Sequence, residues 1–118
     1  MTLRLVVAGA AGFILAMGTA ASAQDAGLIA KGKKVYDAAM PKCKMCHAIG
    51  GEGNAKGPLD GIGGKLKADE FKAWLRTPKE MATKAKAERK PPMPVYAKEK
   101  LSDEDLQSLT AYLLSLKK

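Results

Sequence analysis

Apolar residues along 28–40 recur at helical spacing: Leu28, Ile29, Val35, Tyr36, Ala39 and Met40 fall on one stripe that also includes Gly32. Asp25 is placed to cap this helix and Pro41 to stop it. A second amphipathic stretch closes the chain. Ser102-Asp103-Glu104-Asp105 reads as a capping box, and Leu101 is placed to staple onto Leu106 across the helix start. Leu106, Leu109, Leu113 and Leu116, with Tyr112, then form one apolar face, and Lys117 and Lys118 complement the negative end of the helix dipole. Two shorter helices are expected between them. Phe71, Trp74 and Leu75 share a face after Asp69, and Thr77-Pro78-Lys79-Glu80 offers a capping box with proline at the first helical position. No alternating strand pattern, internal repeat or low-complexity linker occurs. The pattern predicts an all-α domain.

Between 41 and 65 the periodicity disappears, and seven glycines fall within the fifteen residues 50–64. So long an irregular stretch inside a small domain calls for something that organises it. The N-terminus has a different character. Arg4 precedes a 13-residue apolar run, 5–17, followed by small residues ending in Ala21-Ser22-Ala23. This is the layout of a secretory signal peptide, 1–23, cleaved before Gln24, with an uncleaved membrane anchor as the alternative. The run is shorter than the ~18–20 residues a membrane span needs. Removing 1–23 from the 118 residues leaves one domain, 24–118, that works outside the cytoplasm, in the bacterial periplasm, with 19 basic and 12 acidic residues, net +7.

Composition narrows the classes. Hydrophobic residues make up 47% of the chain, too many for a disordered segment, and two cysteines cannot build a disulfide-dense scaffold. A domain of this size buries only about 60–65% of its unfolded surface. With 5% aromatic residues the core is thin, so a bound group is expected to fill part of the interior.

Both cysteines and the single histidine lie within Cys43-Lys44-Met45-Cys46-His47. This C-x-x-C-H arrangement is the attachment signature for haem c. Each thiol adds across one haem vinyl group to give a thioether, the two cysteines face one porphyrin edge from a single helical turn, and the adjacent imidazole sits under the iron. Three other readings are weaker. A thioredoxin-like pair requires a βαβ context, a closed zinc site requires a fourth ligand, and a plain disulfide leaves the adjacency of His47 unexplained.

The stretch 24–118 resembles the class I cytochromes c, through Gly32 and Tyr36, Cys43-Lys44-Met45-Cys46-His47, Gly57-Pro58-Leu59, Pro92-Met93-Pro94, and Leu109 with Tyr112 in the last helix. The resemblance implies four to five helices around one covalently bound haem, with the first and last helices crossing near Gly32, where Tyr112 approaches closely. It also implies that the backbone carbonyl of Pro58 accepts the second ring N–H of His47, which orients the imidazole and raises its basicity.

For the other face of the iron no imidazole is left, and a thioether is the leading candidate. Met45 lies inside the attachment loop, Met40 on the wrong side of Pro41, and Met81 at an apolar helical position suited to core packing. Met93 stands in Lys90-Pro91-Pro92-Met93-Pro94, where three prolines hold the loop extended and present one side chain. Met93 is therefore the expected ligand, with Met81 and an open site as the alternatives. Iron held by His47 and Met93 leaves no place for a substrate, which suits a one-electron carrier rather than an enzyme. The competing reading is a haem subunit dedicated to a periplasmic dehydrogenase or oxidase. A peroxidase or ligand sensor would require Met93 to be off the iron. Trp74 is placed either against the haem or in the core.

Residues 79–100 carry seven basic side chains against three acidic, net +4. A basic rim beside the Met93 loop would steer the protein to a redox donor and acceptor with acidic surfaces. A solvated face kept for solubility is the plainer reading. Nucleic acid is a poor partner, since export removes the opportunity and no aromatic residues interleave with the lysines. Nothing in the sequence requires more than a monomer.

Overall fold

The computed structural model describes Gly12 and residues 19–117. The expected leader, 1–23, lies outside these apart from Gly12 and the start of the first helix. Four α-helices account for half of the described residues: α1 (Thr19–Ala38), α2 (Ala68–Arg76), α3 (Pro78–Ala85) and α4 (Asp103–Ser115). Single 3-10 turns occur at Cys43–Met45 and Ile62–Gly64. The glycine-rich middle also contains a minimal antiparallel ribbon, β1 (Ala48–Ile49) against β2 (Glu52–Gly53), with Ala48 opposite Gly53 and Ile49 opposite Glu52. Two-residue strands leave no periodic trace, which is why the sequence pattern does not reveal them.

The helix ends differ from expectation in three places, each for a local reason. Asp25 lies inside α1 rather than capping it, because the helix of the full chain starts at Thr19, within the leader 1–23 expected to be removed. Helix α2 starts after Lys67, whose backbone N–H donates to Glu70 Oε1 at 3.1 Å, so Asp69 sits in the first turn instead of before it. Thr77 precedes α3, with Pro78 first in the helix as expected. Its hydroxyl, however, donates back to the Ala73 carbonyl at 3.0 Å, and no side-chain cap forms on α3. The cap on α4 is the one expected: Ser102 Oγ accepts from the Asp105 N–H at 3.1 Å.

The core is small and centred on α4. Leu101, Leu106, Leu109, Tyr112 and Leu113 are buried together with Tyr36 and Ala39 of α1, Phe71 and Leu75 of α2, and Tyr96. Each large apolar side chain so buried contributes roughly 1.5–3 kcal/mol. Helix α1 packs most extensively on α4, and Gly32 is where they cross. A Cβ at Gly32 would collide with the Ser108 carbonyl oxygen and lie 2.6 Å from Tyr112 Cβ. The glycine removes the side chain that would hold the backbones apart. The aromatic pair Tyr36 and Tyr112 meets edge to face, with centroids 6.0 Å apart. The first and last helices thus form a rigid cross against which the irregular middle and the loop after α3 are laid.

Candidate functional site

The turn at Cys43–Met45 places three chemically active side chains within one revolution of backbone. The Cys43 carbonyl accepts from the N–H groups of Cys46 at 3.1 Å and His47 at 2.9 Å. The segment beyond is tied back onto it. Asn54 donates its backbone N–H to the His47 carbonyl and its side-chain amide to the Met45 carbonyl, both at 3.0 Å. Ala48 donates to the Gly57 carbonyl at 3.1 Å, and Leu59 donates to Ala48 at 2.8 Å.

These bonds aim one carbonyl at the imidazole. His47 Nδ1 lies 3.0 Å from the Gly57 oxygen. A carbonyl can only accept, so the ring proton resides on Nδ1 and the Nε2 lone pair is left for an electrophile. The acceptor expected from the sequence was Pro58, and the structure assigns the bond to its predecessor. The cause is the bridge between Ala48 and Pro58, which turns the Gly57 carbonyl inward. A Cβ at Gly57 would strike the Cys46 carbonyl oxygen and come within 3.0 Å of His47 Nδ1, so only glycine fits this approach. Pro58 lines the cavity beside it. Gly57 was legible as part of Gly57-Pro58-Leu59, but its carbonyl role was displaced by one residue.

Cys43, Cys46 and His47 open onto a cavity of about 1230 Å³. That exceeds the ~300–1,000 Å³ typical of small-ligand pockets. Its walls come from every part of the fold: Tyr36 of α1, Leu59 and Ile62 of the middle, Trp74 and Leu75 of α2, Leu109 and Leu113 of α4, and Met93. Of the four methionines in 24–118, Met93 alone lines it. Met81 is half-buried elsewhere, and Met40 and Met45 are exposed beside a separate shallow depression. Trp74 is part of the wall, which answers whether it lies in the core or at the cavity.

The electrostatics suit a large group that brings its own polarity. Tyr36 presents a buried hydroxyl with no partner among the described residues, and burial pushes its pKa up to about 12. Burial also raises the Cys43 thiol, keeping it protonated at neutral pH, while Cys46 is exposed. At the mouth stand Lys56, Lys79, Arg89 and Lys90 with one acid, Glu88. Of the basic residues singled out between 79 and 100, Lys79, Arg89 and Lys90 reach the cavity. Lys98 turns away to pair with Asp103 at 3.3 Å, and Lys56 joins the rim from the glycine-rich segment.

A flat macrocycle fits this arrangement: two thiols on one turn at the cavity edge, an imidazole with its free nitrogen available, a thioether in the wall, an orphaned hydroxyl, and apolar surfaces between. The family model for cytochrome c matches residues 29–117. The chain belongs to the cytochrome c family. One c-type haem, attached through Cys43 and Cys46, is therefore its cofactor, and haem-based electron transfer is its role.

The cytochrome is 33% identical over 96 residues to cytochrome c oxidase subunit 2 of Alkalihalophilus pseudofirmus, which covers 74% of this chain and 25% of that protein. The chain thus spans about a quarter of the relative's length. No solved structure matches it at a significant level. Among the described residues no helix is long and apolar enough to cross a membrane.

Proposed function

We propose that this cytochrome is an exported one-electron carrier of the bacterial periplasm in which His47 and Met93 hold the haem iron from its two faces. The observation that supports this most is the presence of His47 and Met93, alone among the methionines of the described residues, in the wall of the same cavity. When bound, the haem supplies a one-electron iron couple. The chain's own groups tune it. Gly57 keeps the His47 proton on Nδ1 and makes Nε2 a better donor. The neutral, soft sulfur of Met93 favours the reduced metal and raises the potential. The apolar walls exclude water, so little rearranges when charge arrives.

Export is supported by the apolar run 5–17 and the small residues Ala21-Ser22-Ala23, with Gln24 as the first residue of the mature chain. The basic residues Lys56, Lys79, Arg89 and Lys90 at the cavity mouth favour redox partners that present acidic surfaces. A second reading, a haem domain serving one oxidase, is favoured by the similarity of this chain to a quarter of a cytochrome c oxidase subunit 2. Copurification of an oxidase with the native protein would select it.

The decisive experiment for the ligand set is Met93→Ala. The variant retains covalent haem, loses the weak sulfur-to-iron absorption band of the oxidised form, and binds carbon monoxide when reduced. A wild-type protein that already lacks the band and takes up carbon monoxide rejects the proposal.

A further inference from the structure

The loop that carries Met93 is anchored from one end. Among the described residues no backbone hydrogen bond starts or finishes within 88–95, three of which are prolines. Order returns at Tyr96, which is 3% exposed and bonded through all of its polar groups. Its N–H donates to the Leu75 carbonyl at 2.9 Å, satisfying a carbonyl left open at the end of α2. Its hydroxyl donates to the Pro41 carbonyl, immediately before the attachment turn. Its own carbonyl accepts from Arg76 Nη1 at 2.6 Å.

Arg76 extends the arrangement further. The same Nη1 reaches the Leu101 carbonyl at 2.7 Å, and Nη2 pairs with Asp103 Oδ1 at 3.0 Å in the first turn of α4. One guanidinium thus joins the end of α2, the exit of the Met93 loop, and the start of α4. A planar fork with five donors spans three acceptors in this way, whereas an ammonium on a flexible stem does not. Arg76 does not line the cavity, so its effect on the site passes through the loop.

We propose that Arg76 is a positioning residue for Met93, holding the loop exit at Tyr96 so that the thioether stays at the cavity wall. This rests on reading Met93 as an iron ligand. Only Pro94 and Val95 separate Met93 from the anchored Tyr96, and proline restricts the first of them. Displacement of Tyr96 is therefore passed to Met93 with little slack. The other end of the loop offers no comparable restraint.

The test uses exported holoprotein and compares the wild type with Met93→Ala, Arg76→Gln, Arg76→Lys and Leu106→Ala. The readouts are the sulfur-to-iron band of the oxidised form and its affinity for added imidazole, which scales with the fraction of molecules whose methionine is off the iron. Arg76→Gln keeps its haem, loses band intensity and binds imidazole at least about tenfold more tightly. Arg76→Lys falls between it and the wild type. Leu106→Ala, which opens the core of α4 away from the cavity, lowers stability yet keeps the wild-type band and imidazole affinity. The proposal is overturned if Arg76→Gln matches the wild type in both readouts, or if Leu106→Ala moves them equally. Should Arg76→Gln fail to accumulate, an unchanged Arg76→Lys overturns it as well. A wild type without the band, whose imidazole affinity Met93→Ala does not alter, removes the ligand reading and this inference with it. Loss of the band in Met93→Ala but not in Arg76→Gln removes the inference alone.

Discussion

Around His47 the backbone is bonded almost residue by residue within one stretch of chain, from Lys42 to Leu59, and the imidazole itself is held by the Gly57 carbonyl from that same stretch. Around Met93, among the described residues, the backbone makes no backbone hydrogen bond between 88 and 95, and its order is supplied by Arg76 and Leu75 from α2 and by Pro41 from before the attachment turn. One side of the cavity is built from local contacts and the other from contacts made across the fold. A local turn reforms by itself after a disturbance. A loop held at a distance keeps its position only while the elements around it stay in register. The proximal side is therefore expected to fail all at once and the distal side to loosen by degrees.

The largest effect is expected where the local side has no room to adjust. Gly57→Val places a side chain against the Cys46 carbonyl and the His47 ring, and overpacking of this kind costs roughly 1–3 kcal/mol even where the backbone can shift. Here the shift breaks the bond that orients His47. The measurable outcome is a collapse in haem bound per mole of exported protein, whereas Met93→Ala keeps its haem. Equal haem loss in both variants would erase the contrast between the two sides.

A smaller effect is expected from Pro92→Ala. Releasing one proline of the distal loop widens the unfolded ensemble and costs about 0.4–1 kcal/mol, seen as a lower denaturant midpoint with full haem content. A drop in haem content would show that the loop contributes to attachment and not only to ligation.

The smallest effect comes from pH. Lys98 first, and Arg76 with it, hold the Asp103 carboxyl below its ordinary value of 3.8. A depressed pKa in the folded state stabilises above the unfolded value, and that contribution is lost as pH falls through the lower, folded one. As pH falls through that lowered value Asp103 is protonated and its pairing with Arg76 weakens, so the sulfur-to-iron band should lose intensity on acidification. Asp103→Asn, which is uncharged at every pH, should show that loss of intensity already at neutral pH and no further dependence on acid. A dependence that survives the substitution would place the acid-sensitive group elsewhere.

Much of the fold was readable because its determinants are close together in the chain. The apolar stripe through Tyr36 and Ala39, the Ser102 cap and the leucines of α4 all act over a few residues, and the structure places them as the spacing indicates. The boundaries that moved did so where two local options compete. The Thr77 hydroxyl bonds back to α2 rather than forward to α3, while Asp25 is interior only because α1 of the full chain continues into the expected leader. The ribbon at Ala48 and Gly53 was invisible because two-residue strands have no period.

For the site, Cys43, Cys46 and His47 were evident as a contiguous chemical pattern, and Met93 from the prolines that flank it. Gly57 was displaced by one position, since which carbonyl faces an imidazole depends on a bridge between Ala48 and Pro58 that no spacing rule encodes. Arg76 carried no signal at all. A lone arginine at a helix end is ordinary until Tyr96, Leu101 and Asp103 are brought around it.

The amino-acid sequence by itself determined the helices, the attachment turn and the identity of the cofactor, because helix periodicity, capping and covalent attachment are set by neighbours in the chain. Only the tertiary structure decided which carbonyl holds His47 and which side chain restrains the Met93 loop. Those depend on distances between residues far apart in sequence, and such distances exist only once α1 and α4 have crossed and the remaining chain has packed against them.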